Sequence, residues 1–380
     1  MSRLSVLAIS DIHFGCPRID PYRLENKLKK YLFPHIPDNK ILFICGDFFD
    51  NVITLNSRAA FVAVHLIHEL REVCRQTGCD LRVLRGTYTH DRDQPKHFVN
   101  GVDPSEDYVK VFDTISLEHH EKTGLNILYI PDNHGSKDIY EDIRKVLDAH
   151  NLKAADILIH HGYFKHMLPT ALLEKGLPHG CLEEEKISKY VKGCVLNGHV
   201  HISSVYKNII SIGSFDRLAH GEEESKGLYQ INIDDGIYKF NFIENMDATK
   251  FITYNLLSFE NAEQALSYFD SKYSELVPKL KEDEPIRIRI LSDDKAVVEG
   301  CTQIAKQRYK NVLVDHGSVV KREALIENIP TDLSELPVIT DDNLPELLMP
   351  ILKKHGDISE DKVRQILKAV GCDRKEEKCK

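Results

Sequence analysis

Four short clusters of acidic residues and histidines each follow an apolar segment, at the point where a strand is predicted to end. Carboxylates come first along the chain and imidazoles last: the clusters are Asp11-Ile12-His13, Gly46-Asp47-Phe48-Phe49-Asp50, His160-His161-Gly162 and Gly198-His199-Val200-His201. Crevices form at the carboxyl ends of strands in α/β sheets, so we expect these side chains to lie at one edge of a sheet. Carboxylates and imidazoles together are typical ligands of divalent metal ions.

The segments around the clusters alternate between strand and helix patterns. Short apolar runs predict strands at residues 4–9, 40–45, 80–84, 157–159 and 194–196. Residues 58–76 have apolar side chains at helical spacing, and Asn56 or Ser57 is a suitable N-cap. Strands that alternate with helices predict an α/β fold built from stacked layers. After Gly198 the pattern changes to short strands, and Asp234-Asp235-Gly236 predicts a hairpin turn.

Four segments are predicted along the chain, whose 380 residues are enough for two domains or for one large domain with an appendage. We expect a first domain over residues 1–250 and a small α+β cap over residues 251–328. Residues 329–340 are polar, contain two prolines and predict a linker. Residues 341–380 hold two amphipathic helical patterns, which are too short to form a core of their own.

Composition restricts the class of protein. A chain with 42% apolar and 29% charged residues is typical of soluble globular proteins, and no apolar run is long enough for a membrane span, so we expect a cytoplasmic protein without a membrane partner. The net charge of −9 argues against nonspecific coating of nucleic acid, although bound cations can reverse the local sign in a cleft. The nine cysteines include no Cys-x-x-Cys pair, which leaves a zinc ribbon or redox motif unsupported.

The spacing within the clusters also favours a metal site. Alternation along an extended chain sends the side chains of Asp11 and His13 to the same side, and the same holds for His199 and His201. Gly46 permits a sharp turn before Asp47. With 19 histidines in the chain, a solvated surface histidine is the ordinary interpretation of any single one. Order, spacing and strand context together favour metal ligands, and the mixed carboxylate and imidazole set favours manganese.

The series of motifs resembles the calcineurin-like metallophosphoesterases. It consists of Asp11-x-His13, Gly46-Asp47-x-x-Asp50, His90-Asp91, His160-His161 and Gly198-His199-x-His201. A later stretch contains Gly213-Ser214-Phe215-Asp216-Arg217, Glu222-Glu223-Glu224 and Lys226-Gly227. It is similar to the Gly-Ser-x-x-Arg…Glu…Lys-Gly segment of SbcD-type DNA-repair nucleases. These nucleases are the bacterial and phage relatives of the eukaryotic meiotic recombination nuclease. The motifs cover residues 1–245, and the similarity beyond them is one of layout. The resemblance implies a four-layer α-β-β-α sandwich with a cap and a helical tail.

The resemblance also implies a site with two divalent metal ions, with Mn²⁺ favoured. One ion would be held by Asp11, His13 and His201. The second would be held by His199 and by one histidine of the His160-His161 pair, and Asp47 would bridge both ions. His160 is preferred over His161, because many relatives place the ligand first in such a pair.

His90 takes the position of the general acid beside the leaving oxygen in this resemblance, and its partner is Asp50 or Asp91. One motif departs from the family pattern, Gly-Asn-His-Asp, in which Asn is a metal ligand. Here Gly86 is followed by three residues before His90, so Thr89 stands in the Asn position, and a hydroxyl is a poorer ligand than an amide carbonyl. Asn133-His134 superficially imitates the missing motif, with a surface turn as the alternative interpretation.

In function, the resemblance implies a manganese-dependent DNA nuclease that cleaves phosphodiesters in DNA repair, recombination or DNA processing. Its partners would be DNA and a coiled-coil ABC-type ATPase similar to SbcC, bound by residues 341–380, while residues 251–328 grip DNA. A homodimer is a further implication, and a phage-encoded chain would act in the host cytoplasm. Two alternatives remain open: a metallophosphoesterase acting on nucleotides or phosphoproteins, and a noncatalytic scaffold that binds the ATPase.

Overall fold

The structure is a computed structural model that describes residues 4–317 apart from residues 55, 100–106, 133–134, 170–172, 174–176, 179 and 282–283. Asn133-His134, the predicted linker and the terminal helical segment at residues 341–380 lie outside the described residues. Within the described part of the chain, no helix is long and apolar enough to cross a membrane.

The described strands are β1 (Leu4–Ile9), β2 (Ile41–Cys45), β3 (Asp80–Leu84), β4 (Val109–Phe112), β5 (Ser116–His120), β6 (Leu125–Ile130), β7 (Ala155–His161), β8 (Val191–Gly198), β9 (Ser204–Tyr206), β10 (Ile209–Ser211), β11 (Gly227–Asp234), β12 (Ile237–Glu244), β13 (Lys250–Asn255), β14 (Ile286–Leu291) and β15 (Val312–Gly317). The described α-helices are α1 (Pro21–Tyr31), α2 (Arg58–Thr77), α3 (Gln94–Val99), α4 (Ile139–Ala149), α5 (Glu184–Ile187), α6 (Ala262–Leu276) and α7 (Lys295–Arg308). Ser57 caps α2 by accepting a hydrogen bond from the amide of Ala60.

Two six-stranded sheets carry the strands that precede the clusters. The first sheet has the order β12-β11-β1-β2-β3-β4, and the second has the order β5-β6-β7-β8-β10-β9. Strands β1 to β4 run parallel in the first sheet, and β6, β7 and β8 run parallel in the second. The loops after β1, β2 and β3 therefore leave the same edge of the first sheet, while those after β7 and β8 leave one edge of the second.

The two sheets pack face to face, with helices on their outer faces. Alternate residues of β1 show this arrangement: Val6 and Ala8 pack against the second sheet, while Leu7 and Ile9 pack against α1 and α2. Helix α4 packs on the outer face of the second sheet through Ile143. Burial of a valine, leucine or isoleucine side chain in these layers stabilises the fold by about 1.5–3 kcal/mol before entropic costs. The prediction of an α/β fold is confirmed at this level.

A third, separate sheet contains β13, β14 and β15, all parallel. Ile286, Ile288 and Ile290 of β14 are buried in a core with α6 and α7, as their alternate spacing requires. The opposite face of β14 carries Arg287, whose Nε donates a hydrogen bond to the carbonyl oxygen of Arg18 at 3.2 Å. The predicted domain boundaries at residues 250 and 328 stay predictions.

Candidate metal centre

The loops after β1 and β2 are joined by main-chain hydrogen bonds. The amide of Asp11 donates to the carbonyl oxygen of Gly46 at 3.1 Å, and the amide of His13 donates to that of Asp47 at 3.0 Å. Asp11, His13 and Asp47 have φ values of 50°, 50° and 48°, and His199 has a φ of 85°. Left-handed backbone is uncommon outside glycine and concentrates at functional sites, so the position of these side chains is constrained at some cost in backbone energy.

Three of the predicted ligands form what we call the Asp11 group: Asp11, His13 and His201. The Nε2 atoms of His13 and His201 lie 3.9 Å and 3.8 Å from Oδ1 of Asp11. Asp11 and His13 are buried, and neither ring nitrogen of His13 has a hydrogen-bond partner among the described residues, although Nδ1 lies 3.2 Å from Oδ1 of Asp50. A buried imidazole that faces carboxylates and has no hydrogen bond fits the role of a metal ligand.

A second set, the His161 group, comprises Asp47, His161 and His199. Nδ1–H of His161 donates to the carbonyl oxygen of Cys45 at 2.8 Å, which directs Nε2 towards Oδ2 of Asp47 at 3.3 Å. Burial alone would lower the pKa of His161, but the adjacent Asp47 carboxylate raises it to about 10. The site thus attracts a positive charge, which a bound ion would supply in place of the proton.

Asp47 belongs to both groups in space. Its Oδ2 lies 3.3 Å from Nε2 of His161 and 3.7 Å from Nε2 of His13. Burial opposes ionisation of this carboxyl, yet the facing histidines hold the pKa of Asp47 well below its usual range. Gly86 allows the loop after β3 to approach Asp47 closely, because a Cβ at this position would lie 2.1 Å from the amide nitrogen of Asp47. The carboxylate thus faces histidines of both groups.

The preference for His160 needs correction, because His161 is the histidine that joins Asp47 and His199. Successive side chains of β7 point to opposite faces, so only one of the pair reaches this edge. His160 instead donates from Nδ1 to Oδ1 of Asn197 at 2.6 Å and packs edge-to-face against Phe164.

The assignment of Thr89 to the Asn position is also corrected. Thr89 is exposed, whereas Thr87 lies at the centre of the His161 group. Its Oγ1 is 3.1 Å from Oδ2 of Asp47, 3.3 Å from Nε2 of His161 and 3.3 Å from Nδ1 of His199. Thr87 directly follows Gly86, so counting forward from the glycine finds it, whereas counting back from His90 finds Thr89.

His90 lies beside the Asp11 group. Its ring centroid is 4.9 Å from that of His13, and its Nδ1–H donates to the carbonyl oxygen of Asp50. Asp50 therefore contacts His90 through its main chain, while its carboxylate faces His13. Asp91, the other predicted partner, instead accepts hydrogen bonds from the amides of Phe49 and Gly86. Burial, together with the charge of Asp47, raises the pKa of Asp91 to about 6.

Two residues of the later motif support His201, a role that the sequence alone did not assign. Nδ1–H of His201 donates to Oε1 of Glu222 at 3.1 Å. Nζ of Lys226, a fully buried side chain, lies 3.0 Å from Oε2 of Glu222 and donates to the carbonyl oxygen of His201 at 2.8 Å. Burial opposes ionisation, but these two partners lower the pKa of Glu222 to about 2. Carboxylates that hold a histidine in this way are common behind metal ligands.

The donor set of the two groups fits divalent metal ions. The ligand atoms within each group lie within 4.8 Å of one another, and most of these side chains are buried. Two further groups of similar composition occur among the described residues: His13, Asp50 and His90 lie beside the Asp11 group, and Glu25, His65 and Glu69 lie elsewhere, on α1 and α2. There Nζ of Lys29 lies 2.9 Å from Oε1 of Glu25, so a protein cation already neutralises the carboxylates.

Comparisons with known proteins do not name a family. No family model matches the chain, and no curated protein matches it. A solved crystal structure matches 63% of this chain and 99% of its own, with 13% sequence identity and a TM-score of 0.36. A similarity of that size supports no conclusion on fold or function.

Proposed function

We propose that this protein is a calcineurin-like metallophosphoesterase, and within that class a manganese-dependent DNA nuclease of the SbcD type. The observation that carries the proposal is the position of Asp47, whose carboxylate lies between the Asp11 group and the His161 group. A site with two groups of ligands and one shared carboxylate suits two divalent ions that act on one phosphate ester. The packing of two sheets between helices is consistent with the α-β-β-α sandwich of that class.

The side chains of the proposed site have two kinds of role: some would bind the metal ions, and one would transfer a proton. When bound, the metal ions would supply the attacking nucleophile and neutralise charge on the phosphate. Asp11, His13 and His201 would hold one ion, and His161 and His199 the other, with Asp47 shared. Imidazole and carboxylate ligands suit manganese, as well as iron and zinc.

His90 is assigned as the general acid. Because its Nδ1–H donates to the carbonyl oxygen of Asp50, Nε2 is the nitrogen left to give a proton to the leaving oxygen. The contact with the main chain of Asp50 orients the ring and in this way supports the proposed role.

The nuclease branch is favoured over other phosphoesterases by the motif around Glu222. That motif is similar to a segment of SbcD-type nucleases. It contains Glu222, which accepts a hydrogen bond from His201, and Lys226, which forms an ion pair with Glu222. The separate sheet of β13, β14 and β15 is consistent with the small cap that such nucleases carry. DNA is therefore the proposed substrate, in repair, recombination or DNA processing.

A substrate panel tests the proposal. The protein is stripped with a chelator, reloaded with Mn²⁺ and assayed on linear duplex DNA, single-stranded DNA, cyclic nucleotides and a phosphopeptide. Cleavage of DNA that depends on added Mn²⁺ supports the nuclease assignment. Hydrolysis of the phosphopeptide or cyclic nucleotides without DNA cleavage would favour the other phosphoesterases, and no hydrolysis in any assay would favour a noncatalytic scaffold.

The partner assignment concerns residues 341–380, which lie outside the described residues. An apolar stripe along this segment is proposed to bind a coiled-coil ABC-type ATPase; it consists of Leu344, Leu347, Leu348, Ile351 and Leu352. Deletion of residues 341–380 should abolish co-purification with the ATPase and leave hydrolysis by the remaining chain intact. Unchanged co-purification would overturn the assignment.

A further inference from the structure

The hydroxyl of Thr87 lies within hydrogen-bonding distance of three candidate ligand atoms, and this spacing also suits a metal ligand. Its distances to Oδ2 of Asp47, Nε2 of His161 and Nδ1 of His199 fall between 3.1 and 3.3 Å. Bonds about 2.1 Å long place neighbouring ligand atoms roughly 3.0–3.4 Å apart in octahedral or tetrahedral shells. The Thr87 oxygen lies at this separation from three candidate ligand atoms. It therefore has the position of a fourth ligand to an ion that all four atoms would bind.

The main chain holds the hydroxyl in this place. The amide of Thr87 donates to Oδ1 of Asp47 at 2.6 Å, and its hydroxyl contacts Oδ2, so Thr87 contacts both oxygens of the carboxylate. Gly86 allows the contact, because a side chain there would collide with Asp47. The position of Thr87 is thus set by the same close approach that brings the loops after β2 and β3 together.

The two groups differ in the charge that they offer an ion. The Asp11 group has the carboxylate of Asp11 in addition to its share of Asp47. The His161 group has only its share of Asp47, together with a hydroxyl and two imidazoles that would bind an ion in their neutral forms. Affinity for divalent cations rises with the number of charged ligands, so the two groups are not equivalent.

We infer that Thr87 is a ligand of the ion in the His161 group, and that this ion binds more weakly than the one in the Asp11 group. The inference rests on the proposed metal centre. Its consequence is regulatory: the first ion stays bound at low free Mn²⁺, while occupancy of the second follows the free Mn²⁺ concentration and switches hydrolysis on.

Calorimetric titration of the stripped full-length protein with Mn²⁺ tests the inference without recourse to activity. The unaltered protein should bind two ions in a tight and a weaker step. Thr87→Val, which keeps the shape and removes the hydroxyl, should weaken the second step about tenfold or more and preserve the first. Thr87→Ser should restore the second step, and Asp11→Asn should instead weaken the first.

Three results would overturn the inference. They are a Thr87→Val isotherm equal to that of the unaltered protein, loss of both steps in Thr87→Val, and a single step in the unaltered protein. Thermal unfolding in chelator shows whether each variant is folded, and Thr87→Ser supplies the comparison if Thr87→Val is not. Failure of the proposed function is separate: the two steps would be present as expected, while no phosphodiester is hydrolysed at saturating Mn²⁺.

Discussion

Nδ1 of His201 lies 3.1 Å from Oε1 of Glu222, which approaches from the loop that precedes β11. This contact leaves Nε2 of the same imidazole directed at Asp11, 3.8 Å away. Lys226 in turn holds the other carboxylate oxygen of Glu222 at 3.0 Å. The chain from lysine through glutamate to histidine fixes the tautomer and the direction of a ring that would bind the ion of the Asp11 group.

Glu222→Gln should weaken binding of the tighter Mn²⁺ ion by about 10- to 100-fold, because the amide gives a less basic acceptor for His201 and leaves Lys226 without its charge partner. Calorimetric titration measures the change. Glu223→Gln is the matched control, since its exposed side chain carries the same charge one residue away. Equal affinities in the two variants would contradict the assigned role.

The two neighbouring histidines of β7 should respond differently to alanine substitution. His161→Ala should reduce Mn²⁺ affinity in the His161 group on the order of a hundredfold, because it removes a proposed ligand. His160→Ala should retain both binding steps and instead lose about 2–3 kcal/mol of unfolding free energy, since it breaks the bond to Asn197 and leaves a cavity. Titration and denaturant unfolding of both variants check this, and the reverse pattern would restore His160 as the ligand.

His90→Ala should slow DNA hydrolysis by about 10²- to 10⁴-fold while both Mn²⁺ ions still bind. The reason is that His90 contacts the main chain of Asp50 and the ring of His13 but belongs neither to the Asp11 group nor to the His161 group. A substrate with a leaving group of low pKa, such as a nitrophenyl ester, needs less protonation and should be slowed less. An equal loss on both substrates would argue against a proton-donor role.

Acid should destabilise the fold partly through Glu118. This buried carboxylate of β5 lies 2.9 Å from Nε of Arg82 on β3, in the other sheet. Burial opposes ionisation of Glu118, but Arg82 outweighs it and lowers the pKa of Glu118 in the folded state. The resulting stability is present above the unfolded pKa of about 4.3 and is lost as pH falls through the folded value.

Glu118→Gln should therefore cost about 3 kcal/mol at neutral pH, because the buried Arg82 loses its closer carboxylate partner and retains only Asp80, 3.8 Å away. The variant should also show a flatter dependence of unfolding free energy on pH below about 5. Denaturant unfolding between pH 3 and pH 7 gives both quantities. If the slope is the same as in the unaltered protein, the ion pair between the sheets contributes nothing to acid sensitivity.

The strands that carry the clusters could be predicted because they are buried on both faces and their apolar runs are unbroken. β1 and β3 have the predicted bounds, and β2 begins one residue later than expected. β5 could not be predicted in this way, because its buried positions hold Glu118 and His120, which are satisfied by ionic partners from other strands. A strand whose buried positions hold paired polar residues lacks the apolar periodicity by which strands are predicted.

Within the site, residue types were predictable and two exact positions were not. Alternation along β7 indicates that one histidine of the pair faces the site. That this histidine is His161 depends on the packing of the other sheet, where the carbonyl oxygen of Cys45 accepts a hydrogen bond from its ring. The choice between Thr87 and Thr89 depends on the path of the loop after Gly86. Glu222 was visible as a motif residue, but its contact with His201 depends on tertiary structure.

The most direct measurement is the rate of Mn²⁺-dependent cleavage of linear duplex DNA by Asp47→Asn compared with the unaltered protein. The shared carboxylate is the link between the two groups, so its loss should reduce the rate on the order of a thousandfold or more and disturb both steps of Mn²⁺ binding. A folded Asp47→Asn protein that cleaves DNA at the unaltered rate would contradict a phosphodiesterase centre built around Asp47.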